Sequence, residues 1–218
     1  MEGKPKLKNK LSLLTKLIYG SGDFGYSLNN SIIAALFPIF MMDVVGVTPA
    51  LAAAALFIGR SWDYINDPLV GYLSDRTRTR WGRRRPWLLF GAIPFALTFV
   101  VLWIRPTFVT SQTGLLIFYA AAYLIYEASA TTVYMPYFAL TPELTQDYDE
   151  RTRLSSVRMS FSILGGVLAA FFHGIIVSQF PQDPRLGYAI SAAIWAFAIA
   201  GPCFITFFGT KEPDFAIN

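Results

Sequence analysis

The sequence is short of charge. Asp, Glu, Lys and Arg make up 15% of its 218 residues, where a soluble domain carries about a quarter. Hydrophobic residues reach 54%, so much of the surface is expected to face lipid. Cysteine is nearly absent: Cys203 stands alone inside an apolar run. That excludes an internal disulfide framework, suggests no metal cluster, and leaves a small packing residue. His173 is the only histidine and also sits in an apolar run, where packing fits better than a proton relay. Alternating runs bounded by glycine are few, which argues against a membrane barrel. No P-loop, metalloprotease or nucleophile-elbow pattern occurs. Gly20 to Gly25 spells the dinucleotide fingerprint, but within an apolar run and without the strand that must precede it. No enzyme chemistry, no catalytic residue and no organic cofactor are expected.

What is present is a series of long apolar runs. A helix needs roughly 20 residues to cross the hydrocarbon core, and six runs qualify: about 17–42, 50–74, 87–104, 114–140, 157–180 and 187–209. Lipid leaves backbone groups no other partners, so these runs are expected to be helices. The fold class is an all-α membrane protein with a basic segment 1–16, a six-helix bundle 17–209 and a tail 210–218. The first run is too long, and too polar in its middle, for a cleavable signal peptide.

Lys and Arg fix the expected orientation. Lys4, Lys6, Lys8, Lys10 and Lys16 precede or open the first run; Arg76, Arg78, Arg80, Arg83, Arg84 and Arg85 follow the second; Arg151, Arg153 and Arg158 follow the fourth; Lys211 ends the sixth. The opposite side has only Arg105 and Arg185. Both termini are therefore expected in the cytoplasm, and the basic N-terminus has the character to touch anionic lipid. Basic residues confined to short loops do not suit nucleic acid.

Charges inside the runs cost several kcal/mol unless paired or hydrated. Asp23 lies in the first run, Arg60, Asp63 and Asp67 in the second, and Glu127 in the fourth. Asp63 and Asp67 are one helical turn apart on one face. Two carboxylates so placed repel unless a cation or proton sits between them. With the amide of Asn66 nearby, W-D-Y-I-N-D-P reads as half of a monovalent cation site; an Arg60–Asp63 bridge that only joins helices is the competing reading. Glu127, Thr131 and Tyr134 form a polar stripe on the fourth run, and Asp23, Ser27 and Asn30 form another on the first. Either the stripes share a hydrated cavity or each bonds neighbouring helices. Gly165 and Gly166, with Ala169 and Ala170, read as a close helix contact.

The stretch from Arg60 to Pro86, R-S-W-D-Y-I-N-D-P-L-V-G-Y-L-S-D-R-T-R-T-R-W-G-R-R-R-P, resembles the glycoside–pentoside–hexuronide:cation symporter family of the major facilitator superfamily, with its melibiose-transporting members. Y-G-S-G-D-F-G from Tyr19, D-V-V-G from Asp43, M-P-Y-F-A-L-T-P-E-L from Met135 and D-Y-D-E-R-T-R-L from Asp147 agree. The resemblance runs from about Thr15 to Lys211. It implies that Asp63, Asn66, Asp67 and Thr131 bind a coupling cation, Na+ or H+. It places Ser27 and Tyr134 where melibiose-transporting members have acidic sugar ligands, Phe138 where they have a stacking tryptophan, and Arg158 on their sugar-site arginine. Asp23 and Glu127, on the same stripes, are candidates to substitute. Broader relatives carry lysophospholipids. Gly71, Asp75, Arg76 and Gly82 match the superfamily's gating motif.

The resemblance implies one six-helix half of a two-half transporter in a bacterial inner (plasma) membrane, moving a small solute such as a sugar or glycoside by alternating access. The half is expected to be a fragment, to pair with itself or with a second half-size subunit, or to serve as a non-transporting structural part of a larger membrane complex. Membrane lipids and a solute are the other expected partners.

Overall fold

The computed structural model describes residues 10–212. Their helices are α1 (Leu13–Ile39), α2 (Pro49–Ser61), α3 (Asp63–Arg76), α4 (Arg85–Leu102), α5 (Gln112–Leu144), α6 (Tyr148–Ser178) and α7 (Pro184–Gly209), with a π-helical turn at Phe40–Val45 after α1. Among the described residues no strand forms; one bridge, Thr79 to Gly82, closes the turn before α4. Five of the helical stretches are long and apolar enough to cross a membrane: Leu13–Val45, α4, α5, α6 and α7. The protein is an integral membrane protein. The stretch expected as one second span is two helices of 13 and 14 residues, α2 and α3.

That division falls at Trp62, whose N–H bonds to the carbonyl of Gly59 at 3.1 Å, three residues back rather than four. One position earlier, the Ser61 hydroxyl donates to the carbonyl of Phe57 at 2.7 Å, a competing bond that bends helices. The π-helical turn follows Pro38, which has no N–H to give, and ends at Gly46 with φ +85. Two other boundaries differ from the hydropathy reading. α5 runs to Leu144, and α6 begins at Tyr148, so Arg151, Arg153 and Arg158 stand on its first turns and not in a loop. Asp147 caps that start: its carboxylate accepts the N–H of Glu150 at 3.0 Å.

α1 packs along α6 and α7, and α5 along α2, α3 and α4. Close approach depends on small residues, the usual device where lipid supplies no hydrophobic drive. A Cβ on Gly165 of α6 would strike the carbonyl oxygen of Phe24 on α1, and one on Gly59 of α2 would strike the ring of Tyr123 on α5. The core is a mass of rings that includes Phe37, Phe40, Phe95, Phe99, Trp103, Tyr119, Tyr123 and Tyr126. A smaller cluster of Tyr19, Leu88, Tyr137, Leu140, Leu144 and Leu154 lies at the other end. His173 is fully packed: its Nδ1 lies 3.0 Å from the Ser191 hydroxyl, and Trp103 and Tyr188 flank its ring.

The basic segments gather at one end of the bundle. Lys16 pairs with Glu150 at 2.7 Å, Arg83 pairs with Glu143, and the Glu212 carboxylate accepts from the turn before α4. The start of α1, the α3–α4 turn, the α5–α6 junction and the end of α7 therefore share one face. Residues 1–9 and 213–218, with the N-terminal lysines before Lys10, lie outside the described residues.

Candidate cation and solute site

A cavity of about 120 Å³ lies among α1, α2, α3 and α5. Its wall brings together Asp63 and Asp67 from α3, Arg60 from α2, and Glu127, Thr131, Tyr134 and Phe138 from one stripe of α5; α1 contributes Tyr26, Asn29 and Asn30. The α5 stripe therefore meets the α3 aspartates in one cavity, but of the α1 stripe only Asn30 reaches it. Its volume is enough for a few waters. That suits an ion with part of its hydration and is well under the roughly 300 Å³ at which small-molecule pockets begin.

Inside it, the Thr131 hydroxyl donates to Oδ1 of Asp67 at 3.1 Å. Tyr126 donates to the amide oxygen of Asn29 at 2.8 Å, which fixes the α1 wall. Arg60 does not take the neighbouring Asp63. Its Nε lies 3.5 Å from Glu127 Oε1 across the gap between α2 and α5. Oδ1 of Asp63 is buried without a hydrogen-bond partner. A buried orphan oxygen is costly, and beside a second carboxylate it is the acceptor that a hard cation takes up. Among the described residues no group of three or more His, Cys, Asp or Glu is arranged to hold a metal ion. Asn66 is buried, but it is not part of the cavity wall, and its Nδ2 has no partner.

Three residues expected at a solute site do not line this cavity. Asp23 forms an ion pair with Arg158, made through Nε and, at 3.2 Å, through Nη2. Tyr137 donates to Asp23 at 3.0 Å, and Arg158 donates to the Thr141 hydroxyl at 2.9 Å. The guanidinium also lies over the rings of Tyr19, Tyr137 and Phe138. This is a satisfied ionic cluster joining α1, α5 and α6, with Phe138 between it and the cavity. Ser27 faces Gly166 of α6: a Cβ on that glycine would lie 3.2 Å from the serine oxygen.

At the basic end, Asp75 pairs with Arg84 at 2.6 Å, and Arg84 also reaches Glu143 at 3.1 Å. The backbone N–H groups of Arg83, Arg84 and Arg85 converge on the Glu212 carboxylate at 2.8, 2.8 and 2.9 Å. An acidic group there satisfies the free donors at the start of α4 and complements its dipole. Gly82 has φ +106, and a Cβ on it would lie 2.6 Å from the same carboxylate. Arg76 lies outside this network, over the ring of Tyr72 at 4.2 Å, and a Cβ on Gly71 would meet nothing within 4 Å. Glu143 and Glu212 were not singled out from the sequence. The acidic residues bracketing the arginine run were visible there, but their pairing depends on the fold.

The profile of the MFS/sugar transport protein family matches residues 18–216. An uncharacterized symporter of Synechocystis sp., sll1374, is 45% identical over 201 residues, covering 86% of this chain and 37% of that protein. The inner membrane symporter YicJ of Escherichia coli is 33% identical over 206 residues, 93% of this chain and 44% of its own length. The sodium-dependent lysophosphatidylcholine symporter 1 of Mus musculus is 34% identical over 179 residues, 81% of this chain and 34% of that protein. The chain spans less than half the length of each of these relatives.

Proposed function

This chain belongs to the MFS/sugar transport protein family, and from that premise we propose that it is the cation-binding bundle of a symporter. Asp63, Asp67 and Thr131 hold the coupling ion, Na+ in the first instance and H+ in the second, with water completing the shell. The carrying observation is the orphan oxygen of Asp63 in a small cavity that also holds the Thr131–Asp67 bond. The name of the sodium-dependent relative supports sodium.

The α2–α3 pair makes the sixth crossing, and the basic end faces the cytoplasm, in keeping with the positive-inside rule. A second six-helix bundle, on the same or another chain, packs against the exposed faces of α3 and α6, where Ile65, Leu69, Met159 and Ile163 stand open. The solute binds between the two bundles, because the cavity here is too small for it. Tyr26, Asn30, Glu127, Tyr134 and Phe138 supply this bundle's side of that site, while Asp23, Ser27 and Arg158 hold α1 to α5 and α6. The Asp75–Arg84–Glu143 network, with the turn at Gly82, latches the cytoplasmic end during alternating access.

The solute is a sugar or glycoside; a lysophospholipid is the second reading, favoured by the name of the murine relative. Calorimetric titration of sodium with and without each candidate separates them. A coupled solute tightens sodium binding, and sodium tightens the solute reciprocally. Sodium binding absent under all conditions favours a non-transporting structural subunit.

A further inference from the structure

Arg60 stands in the last turn of α2 and Asp63 opens α3, three residues apart across the break at Trp62, close enough in sequence for an arginine and a carboxylate to pair. A guanidinium offers five donors in a fork that suits a carboxylate. Left alone, Arg60 would close on Asp63, supply its missing partner and cancel half the charge of the aspartate pair. The structure shows the opposite arrangement. Arg60 reaches across to Glu127 at 3.5 Å, and Asp63 keeps a buried acceptor without a partner. The Glu127 side chain is 10% exposed and that of Arg60 is 50% exposed, so the carboxylate is the buried member of the pair and the arginine the half-exposed one. The buried member is well anchored. Glu127 stands one turn from Thr131 on the cavity-lining stripe of α5, and Gly59 lets α2 close onto the Tyr123 ring in the turn before it.

We propose that Glu127 is a positioning residue that holds Arg60 away from Asp63, keeping the Asp63–Asp67 pair open to the coupling cation. The inference rests on the cation-site reading above. It assigns Glu127 a task other than ligating the ion, added to its place on this bundle's side of the solute site. With Arg60 on Glu127, the two aspartates retain their mutual repulsion, which a cation relieves. With Arg60 on Asp63, the cation must first displace an arginine.

The test is the sodium concentration giving half of the sodium-dependent thermal stabilisation of the purified chain, measured at constant ionic strength with potassium as the balancing ion. Glu127→Gln is expected to raise it about tenfold, within the usual range of site-to-site coupling. Arg60→Gln alone is expected to leave it unchanged or lower it. The double variant Arg60→Gln/Glu127→Gln is expected to return close to the parent, because the competitor is gone. A double variant as weak as Glu127→Gln would make Glu127 a direct ligand and overturn the proposal. So would a Glu127→Gln value equal to the parent's. If Glu127→Gln does not fold, Arg60→Gln decides: a clearly weakened sodium response there shows that Arg60 supports the site and defeats the proposal. A parent protein without any sodium response removes the cation-site reading itself, and this inference with it. A parent response that Asp67→Asn abolishes, beside an unaltered Glu127→Gln, removes only the inference.

Discussion

Thr131 on α5 donates its hydroxyl hydrogen to Asp67 on α3 across 3.1 Å, from one helix of the cavity to another. The bond orients one carboxylate oxygen and leaves the hydroxyl's lone pairs free for an ion. Thr131→Val keeps the shape and removes the oxygen, so the half-saturating sodium concentration is expected to rise about tenfold, the loss of one good polar contact. Thr131→Ser restores the oxygen and is expected to stay near the parent. Sodium titration monitored by melting temperature reads both.

The turn before α4 depends on Gly82 and Glu212 together. Gly82→Ala places a Cβ in a backbone region that L side chains avoid and against the Glu212 carboxylate; a loss of about 1–3 kcal/mol follows. Glu212→Gln weakens the acceptor of three backbone N–H groups, with a loss of about 0.5–2 kcal/mol. Thermal unfolding in detergent measures each. The two losses are expected to be less than additive, since both act on one contact.

Two glycines of α6 make a matched pair. Gly165 meets the α1 backbone at Phe24, whereas Gly174 has open space around it. Gly165→Ala is expected to lower stability by about 1–3 kcal/mol through overpacking. Gly174→Ala is expected to raise it by about 0.5–1 kcal/mol through helix propensity. Equal effects at the two positions would contradict the packing described for α1 and α6.

The Asp23–Arg158 pair gives a stability prediction of its own. Asp23→Asn leaves a largely buried guanidinium without its counter-charge, which costs about 3–5 kcal/mol in comparable sites. Adding Arg158→Gln removes the stranded charge and is expected to recover most of that loss. A double variant as unstable as the single would show that the cluster holds through hydrogen bonds to Tyr137 and Thr141 rather than through charge.

How much was legible in the sequence depends on what each signal measures. Hydropathy located the apolar middle of five crossings, but it missed the first three turns of α6. Those turns carry Arg151, Arg153 and Arg158 on a helix that leaves the core, and a hydropathy window averages them away. The pattern Asp147–Glu150, an acidic N-cap with Glu three residues on, marks the true start. The helical spacing of Asp63 and Asp67 was readable because both lie on one face of one element. The partner of Arg60 was not, because an intrahelical neighbour at three residues looks closer on paper than Glu127, which only the α2–α5 packing at Gly59 brings near. The same limit hid Glu143 and Glu212 as partners of the arginine turn. It also placed Asp23, Ser27 and Arg158 at a shared cavity that the α1–α6 contact instead closes.

The most direct measurement of the central claim is the melting temperature of the purified chain in sodium against potassium, for the parent and for Asp67→Asn. The account predicts a rise in sodium for the parent and no difference between the two salts for the variant, whose amide cannot balance a cation. An unchanged parent, or an Asp67→Asn protein that still responds to sodium, would contradict the assignment of Asp63, Asp67 and Thr131 as the coupling-ion site.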